Sequence, residues 1–162
     1  MHMGYARYNP EDGKYYLEKS YYHSSNKKHK KRNVAYASLY KRILTPTVPG
    51  SRIDFDFAGP EQNATSDPAL DFILIEESGI YEITASVTTN LGPNGFINYF
   101  IDRIGGPAIT GGSFTAEGSG TNTNGVTTQV LLNAGDRVFL RVGFRTGGIT
   151  YGFANLTLHR VD

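Results

Sequence analysis

The sequence predicts an all-β domain, a sandwich or barrel of short antiparallel strands. Three observations carry this. Apolar and polar residues alternate in run after run, and a period of two puts one set of side chains on one face of a strand. Glycine-rich turn signals separate the runs. No stretch shows the i, i+3, i+4 spacing of an amphipathic helix. The 162 residues are enough for one domain with a core of its own.

Residues 1–33 show neither period, and Asn9-Pro10-Glu11-Asp12-Gly13 is a turn signal. Low hydrophobicity and a charge excess from Lys27 to Arg32 predict a disordered arm over 1–33. The folded domain is expected over 34–162, starting with Val34 to Leu39. In Ile53-Asp54-Phe55-Asp56-Phe57 the three apolar residues share one face and the two aspartates the other; Gly59-Pro60 ends the run. Phe72 to Ile75 is a short apolar strand. Tyr81, Ile83, Ala85 and Val87 then alternate with Glu82, Thr84, Ser86 and Thr88, and Leu91 to Gly95 turns the chain.

Phe96 to Ile101 is apolar on both faces, with Phe96 and Phe100 on one and Ile97, Tyr99 and Ile101 on the other. Such a strand needs cover on both sides, from a second sheet or from a neighbouring subunit. Gly105 to Gly125 reads as mostly loop, with a strand near Ser113 to Ala116. Val126 to Leu132 is a strand, and Ala134-Gly135-Asp136 is a tight turn. Beyond it Val138, Leu140, Val142 and Phe144 are expected inward, and Arg137, Arg141 and Arg145 outward beside Phe139. Thr146-Gly147-Gly148 leads into a last strand, Thr150 to Val161, with Leu156 and Leu158 inward.

Charge divides the chain. Residues 1–42 hold ten Lys and Arg against three Asp and Glu, a net +7, and eight of the eleven tyrosines. Residues 43–162 hold six against twelve, a net −6, with all nine phenylalanines and seventeen of nineteen glycines. There is no cysteine, which excludes a disulfide framework, a thiolate nucleophile and a Cys-ligated zinc. No apolar run approaches the ~20 residues of a membrane span, so no membrane partner is expected. The N-terminus lacks the apolar core of a signal peptide.

Chemistry-bearing patterns are sparse, and the chain is expected not to be an enzyme. No Ser/His/Asp set has local support. His159 stands alone beside Leu158, as a surface or interface residue. The Gly105 to Gly112 run lacks the Lys-Ser/Thr of a phosphate loop. Asp54 and Asp56, about 7 Å apart along a strand, read as a solvated face; calcium held with loop carbonyls is the one metal to consider, and otherwise no cofactor is expected. Lys27 to Arg32 suits anionic surfaces, but no folded nucleic-acid module accompanies it and the domain is acidic, so no specific nucleic acid is expected.

Three stretches of the later half resemble the globular heads of complement C1q and their tumour-necrosis-factor-like (TNF-like) relatives. Ser78-Gly79-Ile80-Tyr81-Glu82-Ile83 resembles the family's Gly-x-Tyr-x-apolar strand start. Leu132-Asn133-Ala134-Gly135-Asp136-Arg137-Val138-Phe139-Leu140 resembles its Leu-x-x-Gly-Asp-x-Val-x-Leu signature. Gly152 to Leu158 resembles its last strand, with Ala154 where Gly is common. Spacing and order match over 34–162. The resemblance implies an antiparallel two-sheet jelly roll assembling as a homotrimer; bacterial members occur on spore surfaces, including exosporium heads. Many carry a collagen-like Gly-x-y stalk, which this chain lacks.

The front segment is similar in composition to the small Tyr- and Lys-rich spore coat proteins of bacilli: Met3-Gly4-Tyr5, the Tyr15-Tyr16 and Tyr21-Tyr22 pairs, and Lys27-Lys28-His29-Lys30-Lys31. The two resemblances imply a structural protein of the spore coat, crust or exosporium, made in the mother cell without a signal peptide. Tyr15, Tyr16, Tyr21, Tyr22, Lys27, Lys28, Lys30 and Lys31 are the expected contact or cross-linking residues to other spore-surface proteins. Phe96, Tyr99, Phe100 and Phe139 are the expected subunit interface. The rival readings are a carbohydrate- or receptor-binding head, as in an adhesin or phage tip, and a hydrolase whose site forms only in three dimensions.

Overall fold

The computed structural model describes residues 6–17 and 34–162, which fall into two compact units, Met1–Lys31 and Arg32–Asp162. In the first, β1 (Ala6–Asn9) and β2 (Lys14–Leu17) pair antiparallel, with Asn9 opposite Lys14 and Tyr8 opposite Tyr15. The predicted turn closes this hairpin: Gly13 takes φ +69° and its N–H donates to the Asn9 carbonyl at 3.1 Å, while the side chains of Asn9 and Asp12 accept from the N–H groups of Glu11 and Lys14. No strand is expected there from the sequence, because the flanks alternate nothing apolar. Tyrosine's strand preference and the turn chemistry favour this pairing.

The second unit is built from β3 (Tyr36–Tyr40), β4 (Thr45–Pro46), β5 (Phe57–Ala58), β6 (Ala64–Asp67), β7 (Phe72–Ile75), β8 (Gly79–Arg103), β9 (Ser113–Leu132), β10 (Arg137–Thr146) and β11 (Ile149–Arg160). Hydrogen bonding runs in the order β5-β3-β11-β8-β10-β7-β6, with β9 on β8 and β4 on β11. The long hairpin β8–β9 serves both layers of the sandwich. Its Tyr81–Leu91 half pairs with β11, and its Phe96–Arg103 half pairs with β10. The register breaks between Leu91 and Gly95, where Asn94 takes φ +54° and the hairpin turns the corner. The result is the all-β, antiparallel jelly roll expected.

The inward faces of both layers make one core. Leu39, Ile53, Ile73, Tyr81, Ile83, Ile97, Tyr99, Leu132, Leu140 and Leu156 are all fully buried. The sequence motifs land where the fold needs them. Gly135 adopts φ +95° in the turn from β9 to β10, and Asn133 N–H donates to Asp136 Oδ2 at 2.9 Å. A non-glycine residue at that φ would be strained.

Four expectations are corrected. The strand expected near Ser113 to Ala116 is there, but residues 117–125 are strand as well, not loop: β9 pairs with β8 from Ser113 to Leu132. Its Gly, Ser, Thr and Asn residues hid it, since an edge strand with an uncovered face has little to bury. Phe57 does not share the inward face of Ile53 and Phe55 but is 47% exposed. Ile53 N–H donates to Leu140 in one layer, whereas Phe57 pairs with Tyr40 in the other, so this segment crosses between layers and alternation stops. Phe144 is 65% exposed. Val142 pairs with Tyr99 and Arg145 with Ile97, leaving Gly143 and Phe144 to face one residue, Asn98, as a β-bulge that turns Phe144 outward. The same shift puts Arg145 on the inner side with its register partner Ile97, rather than outward.

Candidate functional site

The two outer faces of the sandwich differ in chemistry. On the β3-β11-β8-β9 layer, strand register stacks rows across the sheet: His159, Glu82, Gln129; then Thr157, Thr84, Thr127; then Asn155, Ser86, Gly125; then Gly152, Thr88, Thr123. Below the first row, these residues carry no ionisable group. The polar groups bond to one another within the sheet. Thr84 and Thr127 hydroxyls meet at 2.9 Å, Thr88 and Thr123 at 2.8 Å, and Asn155 Nδ2 donates to Ser86 Oγ at 2.9 Å. A hydroxyl already paired with a neighbour loses little when water leaves, and the threonine methyls remain as surface.

Bare apolar side chains flank this polar centre. Ile80 and Leu131 are register partners, 41% and 61% exposed, and Val161 N–H donates to the Ile80 carbonyl. Farther along the sheet Phe153 is 64% exposed at a second bulge, between Gly152 and Asn155, and holds φ +48°. That left-handed conformation is costly for an aromatic residue. Leu44, also exposed, packs on Gly152 beside it.

On the β7-β10-β8 layer the outward aromatic rings are covered by guanidinium groups. Arg141 lies 4.9 Å from the centroid of Phe100, Arg52 4.7 Å from that of Phe139, and Arg137 5.2 Å from that of Phe72. Five cation–ring contacts occur among the described residues, where about two would be usual for a domain of this size. Arg141 also binds Asp102 at 2.6 Å. Gly143 permits this packing: a Cβ there would collide with Asn98 Oδ1 and Phe100 Cε2. Phe96 rests against Phe144 at 6.2 Å.

The four residues expected at a subunit interface therefore part company. Tyr99 points into its own core, stacked on Phe114 at 5.2 Å, with its hydroxyl bonded to Thr89 Oγ1 at 2.8 Å. Burial pushes its phenol up to about 12. It is corrected from interface residue to core residue. Phe96, Phe100 and Phe139 do lie outward, but side chains of the same chain cover their rings, so a partner is not needed to shelter them. In the arm, the backbones of Tyr15 and Tyr16 lie in β2, opposite Tyr8 and Arg7. Tyr21, Tyr22, Lys27, Lys28, Lys30 and Lys31 lie outside the described residues.

Asp54 is solvated as expected, its side chain 61% exposed, but Asp56 is not, at 13%. Lys41 Nζ reaches Asp56 Oδ1 at 3.0 Å and Asp54 Oδ2 at 3.1 Å, with its side chain only 1% exposed. Asp56 Oδ2 accepts the backbone N–H groups of Arg42 and Ile43 at 2.7 and 3.0 Å. Burial alone would raise the Asp56 carboxyl, but these donors and Lys41 hold it below its ordinary value. Burial likewise lowers the Lys41 amine, and the bonds to Asp56 and Asp54 outweigh it and raise the amine. Sequence reading missed Lys41 because its partners lie thirteen and fifteen residues away. The Lys41 ammonium thus lies against both carboxylates. Among the described residues no group of three His, Cys, Asp or Glu stands together as a metal site, and His159 sits 3.8 Å from Glu82 on the open sheet face.

No family model matches the chain, and no curated protein matches it. Solved structures do. The Eiger TNF of S. frugiperda superposes with a TM-score of 0.66 at 14% identity, over 81% of this chain and 94% of that one. Murine APRIL superposes at 0.60 with 10% identity, over 78% and 99%. The globular domain of zebrafish complement 1qA superposes at 0.60 with 13% identity, over 79% and 97%. The chain thus has the jelly-roll fold of the TNF and C1q globular domains.

Proposed function

We propose that this chain is a structural protein of the spore surface, in which the head assembles as a homotrimer and the Tyr- and Lys-rich arm attaches it to a protein shell. The observation that carries this reading is the outer face of the β3-β11-β8-β9 layer. Its centre carries no ionisable group, its hydroxyls are bonded to each other, and Ile80, Leu131 and Phe153 stand bare at its ends. Such a face suits burial against protein, not turnover of a substrate. A three-fold ring needs two different patches on each chain. The second is at hand: among the described residues β9 pairs with β8 alone, which leaves its far edge open, with Glu117 the one charged residue of the strand. Edges of that kind are pairing sites unless blunted by charge.

The arm supports the attachment half. Residues 1–33 carry a net +5 and residues 34–162 a net −4, so arm and head attract, with the attraction screened over roughly 10 Å at 0.1 M salt. Tyrosines add amphipathic contact area at low entropic cost. The experiment compares the full chain with one lacking residues 3–33 in sporulating cells. The reading expects the full chain to be retained in the spore shell and the truncated one to be lost. Equal retention of both would remove the arm's role.

The carbohydrate- or receptor-binding alternative calls for aromatic side chains on the loops. Among the described residues the loops at 104–112 and 133–136 present none. The exposed Phe144 and Phe153 sit in strand bulges instead.

A further inference from the structure

Residues 34–162 contain seven arginines and a single lysine, Lys41. That lysine is the most deeply buried cation of the head. Arginine is the usual choice for a buried partner of carboxylates, because its planar fork bonds both oxygens and is weakly hydrated. What lysine offers in exchange is a primary amine, which can act as a nucleophile.

The surroundings of Nζ contain each part that amide formation requires. The carboxyl group of Asp56 is the electrophile, with Oδ1 3.0 Å from Nζ. Its Oδ2 sits between the N–H groups of Arg42 and Ile43, at 2.7 and 3.0 Å. Those donors lie where negative charge gathers as an amine adds to the carboxyl carbon. Asp54 Oδ2, 3.1 Å from Nζ, is a second carboxylate within reach of the proton to be moved. Its side chain is 61% exposed, which leaves a route to solvent.

We infer that Lys41 Nζ and Asp56 Cγ close to an intramolecular amide, an isopeptide cross-link between the end of β3 and the segment that crosses the layers. The bond that forms is Nζ–Cγ, and the bond that breaks is Cγ–Oδ1. Asp54 takes a proton from Nζ and delivers it to Oδ1; a second Nζ proton follows, and Oδ1 leaves as water. Oδ2 becomes the amide oxygen, still held by Arg42 and Ile43. The ammonium and carboxylate together lose one water and both charges, with no oxidant or other reagent. The resting ion pair is the stable ionic form, so closure draws on the minor form in which one proton has passed from amine to acid. That form has the same number of protons as the ion pair. Closure is therefore slow and nearly independent of pH around neutrality. Fixed proximity drives it, since aligned groups in a fold reach effective concentrations on the order of 10⁵ M or more. In a chain without cysteine, the link ties the layer-crossing segment in place as a disulfide would.

The test is the intact mass of the full-length chain after incubation at neutral pH. The expected mass is one water below that of the sequence. Digestion and tandem mass spectrometry should give a branched peptide joining Lys41 to Asp56. Lys41→Arg keeps the positive charge without a primary amine and should show the full sequence mass. Asp54→Asn should slow closure by tenfold or more. A wild-type chain that keeps its full mass overturns the inference. So does a branch at Asp54, or a water lost elsewhere, such as a succinimide at Asp12-Gly13 that persists in Lys41→Arg. Should Lys41→Arg not fold, the branched peptide of the wild type decides alone.

Discussion

The two outer faces of the head meet the same problem, how to present a sheet to its surroundings, with opposite chemistry. On the β7-β10-β8 face, guanidinium groups cover Phe72, Phe100 and Phe139, so the aromatic area is already sheltered and charge faces water. On the β3-β11-β8-β9 face no charge stands over the centre, and hydroxyl pairs with hydroxyl. Removing water from the first face would strip cations and leave Asp102 poorly solvated. Removing it from the second strands no unpaired group among Thr84, Thr88, Thr123 and Thr127. The lesson is that a face rich in phenylalanine can be the solvent face, and one rich in threonine the contact face. What decides is which polar groups are satisfied inside the chain.

The largest effect should come from placing a charge on the contact face. Thr127→Arg puts an unpaired guanidinium where a neighbour would cover it, at a cost of several kcal/mol. The assembly should weaken by about 100-fold or more, measured by sedimentation over a concentration series. Thr65→Arg, exposed on β6 beside β7 and away from both patches, should leave the assembly unchanged. Equal sensitivity of the two faces would erase the distinction between them.

Next comes Arg141→Met. It uncovers the ring of Phe100 and removes the partner of the mostly buried Asp102, which should cost about 1–3 kcal/mol in denaturant unfolding. Binding of a hydrophobic dye should rise while the assembled mass stays the same.

Much of this was legible in the sequence. A sandwich or barrel follows from alternation in Tyr81 to Val87 and Val138 to Val142 and from the Gly135 turn, and the jelly roll from the resemblance that the three motifs carry. What stayed hidden was set by distant register. The bulge that turns Phe144 outward depends on which residue of β8 faces it, and nothing in Val142 to Arg145 announces an extra residue. The polar first half of β9 looked like loop because its strand character comes from pairing with β8, not from burial. Tyr99 reads as a contact because a strand apolar on both faces states that cover is needed, without saying whose. Arg52, which covers Phe139, is eighty-seven residues away in the chain.

A smaller effect separates core from surface by pH. Tyr99 has its phenol raised from 10.0 to about 12. A raised value means the folded state holds the proton longer than the unfolded chain, so this contribution is intact below pH 10 and is lost as pH rises toward 12. Thermal melts should show destabilisation across that window. Tyr99→Phe should flatten this part of the profile, while costing about 1–3 kcal/mol at neutral pH because Thr89 loses its buried partner.

The smallest effect expected is that of Thr84→Val with Thr127→Val. Replacing both members of a paired hydroxyl by apolar groups of similar shape should change stability by about 1 kcal/mol or less, and the assembly should hold or tighten. A marked loss of assembly would mean that those hydroxyls bond to the partner rather than to each other.

The mass of the untagged full-length chain in solution, by multi-angle light scattering at micromolar concentration, tests the central claim most directly. The account predicts three chains per particle, with the β3-β11-β8-β9 face and the open edge of β9 protected from hydrogen exchange. A particle of one chain would contradict it, because a face with an uncharged centre and with bare Ile80, Leu131 and Phe153 would then be standing in water.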